Sequence, residues 1–256
     1  MRSLVLLALL LSCSCAHADT FADLKRTLAS LDGKEPISAK LGFTRSQTNE
    51  GDKPADRVPV TVGAEVGADA SGVRMTFPRR TLDIAVAESR QTDPEAKKPI
   101  SGALGEVRVT DVDEYLSAAP KLLAALQRAS VLEEKTELWR GQPARLLRLK
   151  LDPLLSKQNR KYIKKFDANA RIWVSADGVP LAAEQSFTYS GRAMMVISFE
   201  SASKESFEFE RRGNRLVVLR HQSEDTSSGG GESGTRRIDA RLTLAPATGA
   251  AQPGAK

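Results

Sequence analysis

Residues Ala170–Tyr189 read ARIWVSADGVPLAAEQSFTY. Two runs rich in strand formers flank Asp177-Gly178, and Asp-Gly supplies the positive-φ backbone that a two-residue hairpin turn needs. Ala170–Ala176 and Leu181–Tyr189 therefore read as an antiparallel hairpin. The same pattern extends outward on both sides. Val131–Arg140, a Gly141-Gln142 turn and Ala144–Leu151 form a second hairpin, in which Leu147, Leu149 and Leu151 point one way and Arg148 and Lys150 the other. Beyond Gly191, Met194–Glu200, then Phe207–Arg211, Gly213-Asn214 and Leu216–Gln222, continue an antiparallel meander that ends in Arg236–Leu244. Ser223–Gly234 (SEDTSSGGGESG) has no apolar alternation and is expected as a flexible loop.

The first half mixes helix with strand. Thr20–Leu31 places Phe21, Leu24, Leu28 and Leu31 at helical spacings, with Asp19 or Thr20 as the cap and Asp32-Gly33 as the stop. Ile37–Thr48, Val60–Ala68 and Val73–Phe77 read as strands, and Asn49–Pro59 and Gln91–Pro99 as loops. Thr81–Arg90 fits either strand or helix. Asp111–Arg128 is expected to be helical, with Pro120 marking a kink or a break. With no internal repeat and no compositional boundary, residues 19–245 are expected to form one α+β domain. Residues 246–256, rich in Ala, Gly and Pro, are expected to form a disordered tail.

The start of the chain carries an export pattern. Arg2 is followed by the apolar run Leu4–Leu11 and by Ala16-His17-Ala18, as in a signal peptide cleaved after Ala18. The competing reading is a lipobox at Leu10-Leu11-Ser12-Cys13, which would anchor a lipoprotein through Cys13. Cleavage after Ala18 leaves a periplasmic chain without cysteine, because Cys13 and Cys15 are the only two. Loss of Arg2 from 38 basic residues leaves 37 against 32 acidic ones, a mild excess that permits contact with anionic surfaces without requiring it. No later apolar run is long enough to predict a transmembrane helix.

Chemistry-bearing motifs are sparse. Of the two histidines, His17 lies in the leader and His221 in a strand pattern, where it reads as a strand-surface residue. One histidine without cysteine is short of a typical zinc site, so no metal and no cofactor is expected. Ser201-Ala202-Ser203-Lys204 matches S-x-x-K, but the elements that accompany that motif are missing. Gly229–Gly234 precedes a strand and lacks the lysine of a phosphate loop. Carboxylate pairs stay open, since sequence spacing does not report distance. Asp152–Asp167 (DPLLSKQNRKYIKKFD), taken as a helix, gathers Leu155, Tyr162, Ile163 and Phe166 on one face, with Lys157, Arg160, Lys161, Lys164 and Lys165 around the other. Such a helix is either a membrane-surface element or a solvated face. Thirteen aromatic residues are few for a nucleic-acid surface.

The leader, the opening helix Phe21–Leu31, the sheet–helix–sheet order and the strand pattern Arg171–Leu181 together resemble the LolA/RseB-like periplasmic carriers and sensors. Trp139–Leu244 also resembles other bacterial envelope proteins. The first resemblance covers roughly residues 20–245 and implies a curved antiparallel sheet, barrel-like but unclosed, with two to three helices packed on it. It also implies an apolar cavity between sheet and helices. The function expected on that basis is non-enzymatic binding of lipid or of lipoprotein acyl chains, with Phe187, Met194, Met195 and Phe199 as candidate lining residues. The alternative is an envelope scaffold or sensor that docks a protein partner. A carboxylate-dependent glycan hydrolase is third.

Overall fold

The computed structural model describes residues 19–53, 57–94, 96–152, 161–193 and 197–246. The leader with Cys13, the basic residues Lys157 and Arg160, the candidates Met194 and Met195, and the tail from 247 lie outside the described residues. Ten strands make one antiparallel sheet in the order β3-β2-β1-β10-β9-β8-β7-β6-β5-β4. They are β1 (Ile37–Asn49), β2 (Val60–Asp69), β3 (Gly72–Thr76), β4 (Ala129–Trp139), β5 (Gln142–Leu151), β6 (Ile163–Val174), β7 (Pro180–Ala193), β8 (Ile197–Arg212), β9 (Arg215–Gly229) and β10 (Glu232–Leu244). β3 and β4 are the two ends of this order and do not pair, so the sheet is curved but unclosed. The α+β class and the unclosed antiparallel sheet agree with the expectation from sequence.

The helices exceed the expected two or three. The described residues hold α1 (Thr20–Ser30), α2 (Arg79–Ser89), α3 (Pro99–Glu106), α4 (Val109–Leu116) and α5 (Ala119–Leu126). Asp19 caps α1 by accepting from Phe21 N and Ala22 N, each at 3.1 Å. The long helix expected over Asp111–Arg128 is two helices, because Pro120 opens α5 and Ala118 N leaves the helical ladder to donate to Leu216 O on β9 at 2.8 Å. α2 settles the ambiguity at Thr81–Arg90. Its Glu88 carboxylate accepts from Ile100 N (3.2 Å) and Ser101 N (2.7 Å), satisfying the free donors at the start of α3. No helix among the described residues is long and apolar enough to cross a membrane.

All the main packing is on one face of the sheet. α1 and α5 cover β5, β6, β7 and β9 through Leu24, Leu28, Leu126, Leu147, Leu149 and Ile172. α3 and α4 cover β1, β2 and β10 through Leu41, Phe43, Val62, Val112 and Leu116. Arg215 pins the chain where these halves meet. It is buried and donates to Glu35 O (2.5 Å) and to Leu116 O (3.4 Å) at the end of α4, where a cation meets the negative end of the helix.

Two local expectations are corrected. Ser223–Gly234 is not a loop: β9 and β10 run through it and turn at Gly230 (φ 65°) and Gly231 (φ 89°), both left-handed. Two such residues make a tight hairpin turn. The polar strand is held by Arg237–Glu224 at 2.7 Å and Arg236–Asp225 at 3.2 Å, in register with β10. The second correction concerns the helix expected over Asp152–Asp167. Residues 153–160 lie outside the described residues and 161–162 are helical, so the correction concerns its end: the chain from Ile163 onward is β6. Pairing with β7 (Phe166↔Tyr189, Ala168↔Phe187) supplies backbone hydrogen bonds along the strand, so local helical periodicity loses to the ladder.

Candidate functional site

Between α4, α5 and the sheet lies a mostly apolar cavity of about 130 Å³. Leu122, Leu126, Leu149, Ile172, Phe207 and Val218 form much of its wall, and Glu114, Lys121 and Glu205 stand among its polar residues. It occupies the place expected from the sequence. The candidates Phe187 and Phe199 do not line it: Phe187 sits on β7 opposite Ser203, and Phe199 on β8 opposite Gly191, with its ring 6.3 Å from Tyr189. The residues that do line it come from β5–β9 and from α4 and α5.

A hydrogen-bonded cluster stands beside this cavity. Tyr115 Oη lies 2.8 Å from His221 Nδ1, and His221 Nε2 lies 3.6 Å from Glu205 Oε2. Gln185 donates to the same carboxylate oxygen at 2.7 Å. The imidazole stacks on Phe207 at 4.5 Å with planes 2° apart. Burial pushes the Glu205 carboxyl up, but the adjacent His221 ring and the hydrogen bond from Gln185 outweigh it and hold the group below its ordinary range. The strand-surface reading of His221 is thus corrected. Its side chain is mostly enclosed, because α4 lays Tyr115 over this end of β9. Sequence spacing concealed the cluster, since 106 residues separate Tyr115 from His221.

Among the described residues the opposite face of the sheet carries no helix, and it holds the larger hollow. One trough of about 1040 Å³ is lined by residues of β1, β10, β9, β8, β7, β6, β5 and β4. A row from eight neighbouring strands can share one hollow only if the sheet bends towards that face. Its walls alternate charge and hydroxyl or amide: Thr44 and Ser46 on β1, Gln222 on β9, Ser206 on β8, Ser186 on β7, Asn169 on β6. Five cationic side chains and the carboxylates of Glu137, Glu184, Glu224 and Asp239 complete the lining, while the Glu205 carboxylate turns to the helix side. Arg171 is paired with Glu184, Arg237 with Glu224 (2.7 Å) and Lys135 with Glu137 (3.0 Å). Near the β4–β6 end, Trp139 packs against Trp173 at 4.9 Å with the rings tilted by 37°, Trp173 packs with Leu146 of the trough wall, and Trp173 Nε1 donates to Glu137.

A third hollow of about 760 Å³ lies farther along the strands. Lys165 lines it together with Ser and Thr residues of β7–β10. Lys161, Lys164 and Lys165 are exposed, but the strand conformation from Ile163 removes the shared helical face that made them a membrane-surface candidate. Ser201 and Lys204 both belong to β8, three residues apart in a strand and hence directed to opposite faces, so the S-x-x-K match places no lysine beside the serine. Among the described residues no group of three His, Cys, Asp or Glu side chains is arranged to hold a metal ion.

No family model matches this chain, and no curated protein matches its sequence. A crystal structure of MucB in complex with MucA(peri) is similar over 87% of this chain and 93% of that one, at 8% identity and a TM-score of 0.22.

Proposed function

We propose that the protein is a non-enzymatic docking module of the periplasm, exported by the leader before Asp19, that holds an extended segment of a protein partner along its open sheet edge. The observation that carries this is β4. It pairs with β5 on one side and, among the described residues, has no strand on the other, over eleven residues. Val131 and Leu138 on it are 42% and 66% exposed. A free edge of this length offers backbone donors and acceptors to an added strand, and the apolar side chains offer it anchors. A bulge between Val131 and Glu133, followed by the charged run Glu133-Glu134-Lys135, guards the same edge against indiscriminate pairing.

Acyl-chain binding has less support. Ligand pockets usually enclose about 300–1,000 Å³, and the apolar cavity holds about 130 Å³. Its polar neighbours Tyr115, Glu205 and Gln185 are already hydrogen-bonded within the protein.

The test is site-specific photo-crosslinking in cells that export the protein. A photoreactive residue at Val131 or Leu138 should give a discrete protein adduct, and one at the exposed mid-sheet position Lys40 should not. Equal adducts at all three positions, or none at the edge, would overturn the proposal.

A further inference from the structure

We propose that the trough on the helix-free face is a binding site for a neutral oligosaccharide. The trough takes Leu132, Lys135 and Glu137 from β4, but the edge anchor Leu138 does not line it.

Volume is the first ground. At about 1040 Å³ the trough stands at the upper end of small-ligand sites. It suits a chain of several sugar rings rather than a folded domain.

Charge is the second. The lining holds five cations and four carboxylates and is therefore close to neutral overall. Arg171–Glu184, Arg237–Glu224 and Lys135–Glu137 cancel locally as well. A polyanion or polycation finds little net field to draw it in. Yet each pair leaves hydrogen-bonding capacity unspent, because a guanidinium has five donors and a carboxylate about four lone-pair sites. Between these pairs stand the hydroxyls of Thr44, Ser46, Ser186 and Ser206 and the amides of Asn169 and Gln222. The result is a nearly neutral surface dense in both donors and acceptors. A sugar hydroxyl is donor and acceptor at once, so a neutral polyol matches this surface where an ion does not.

The third ground is the tryptophan pair at the β4–β6 end. Trp139 is half-buried against Trp173 and stands at the rim of the trough, two residues along β4 from Glu137 and outside the lining itself. The C–H face of a pyranose ring packs on such an aromatic rim while its hydroxyls reach the polar rows. Rigid strands hold all these groups, so little side-chain ordering is lost when a ligand seats.

Isothermal titration of the full exported chain against maltohexaose, cellohexaose and chitohexaose tests the site, with a heparin hexasaccharide and a neutral hexapeptide as controls. At least one neutral hexasaccharide should bind saturably, with an affinity unchanged between about 50 and about 500 mM salt, because no net charge is neutralised. Replacing the pair together, Arg171→Ala with Glu184→Ala, should weaken binding by about tenfold, the scale of losing charge-assisted hydrogen bonds. Ser186→Trp, which fills the trough without removing a charge, should abolish it. Both variants should keep the melting transition of the parent, and Leu138→Glu should bind sugar normally. The inference is overturned if no neutral hexasaccharide binds, if the heparin fragment or the peptide binds in its place, or if folded Ser186→Trp binds as the parent does.

Discussion

Tyr115 on α4 and His221 on β9 share a hydrogen bond of 2.8 Å across the helix–sheet interface. Burial pushes the Tyr115 phenol up, so it keeps its hydrogen throughout the range in which the protein is folded. A phenol hydroxyl both donates and accepts, so the bond to Nδ1 forms with either ring tautomer, and Nε2 faces Glu205 at 3.6 Å. Tyr115→Phe should cost about 1 kcal/mol, the net worth of one hydrogen bond. His221→Ala should cost about 3 kcal/mol, because it also leaves a void beside Phe207. Urea unfolding of the two variants measures both; equal losses would show that the stack contributes nothing.

Acid should weaken the sheet through Asp239. The Arg220 hydrogen bond, working against burial and helped by Arg241, lowers the Asp239 carboxyl from 3.8 to about 2. A carboxylate lowered on folding contributes stability above its unfolded pKa and loses it as pH falls through the native value. The contribution is therefore present above about pH 4 and gone near pH 2. Partial exposure of the three side chains screens it to about 1 kcal/mol. The stability difference between the parent and Asp239→Asn, followed by urea unfolding from pH 6 to pH 2, should shrink across that window. A difference that stays constant would show that the ion pairs do not contribute.

The β9–β10 turn depends on backbone conformation and not on space. A side chain at Gly231 would meet nothing within 4 Å, yet φ is 89°. Gly231→Val should cost about 1–2 kcal/mol through that conformation alone. Gly231→Asn should cost less, since asparagine tolerates left-handed backbone better than a β-branched residue. Thermal melts of the pair should rank in that order. Equal melts would mean that the turn relaxes to another form.

A fluorescent sixteen-carbon fatty-acid probe should fail to saturate the protein at micromolar concentration. The reason is the apolar cavity of about 130 Å³. Tight, saturable binding that phospholipid displaces would show that α5 swings away from β5 and β7 to admit a chain, and would restore the acyl-carrier expectation.

Some elements were legible in the sequence because their determinants are local. Asp177-Gly178 turns where expected, with Gly178 at φ 78°, and Leu147 and Leu149 point into the core while Arg148 faces away. The opening helix follows from the Asp19 cap and the Leu24–Leu28 spacing. These features need only a turn conformation or a period. Other features depended on partners far along the chain. The polar stretch Ser223–Gly229 is a strand because β8 and β10 flank it, and Ile163–Asp167 is a strand because β7 pairs with it. Sequence spacing left the charged residues of β5–β10 unassigned, because it does not report distance. Only the register of eight strands gathers them into one nearly neutral trough, and only the placement of α4 turns His221 from a strand residue into the centre of a hydrogen-bonded cluster. Turn chemistry and periodicity are written in neighbouring residues, whereas register and curvature come from long-range pairing that no single stretch of sequence contains.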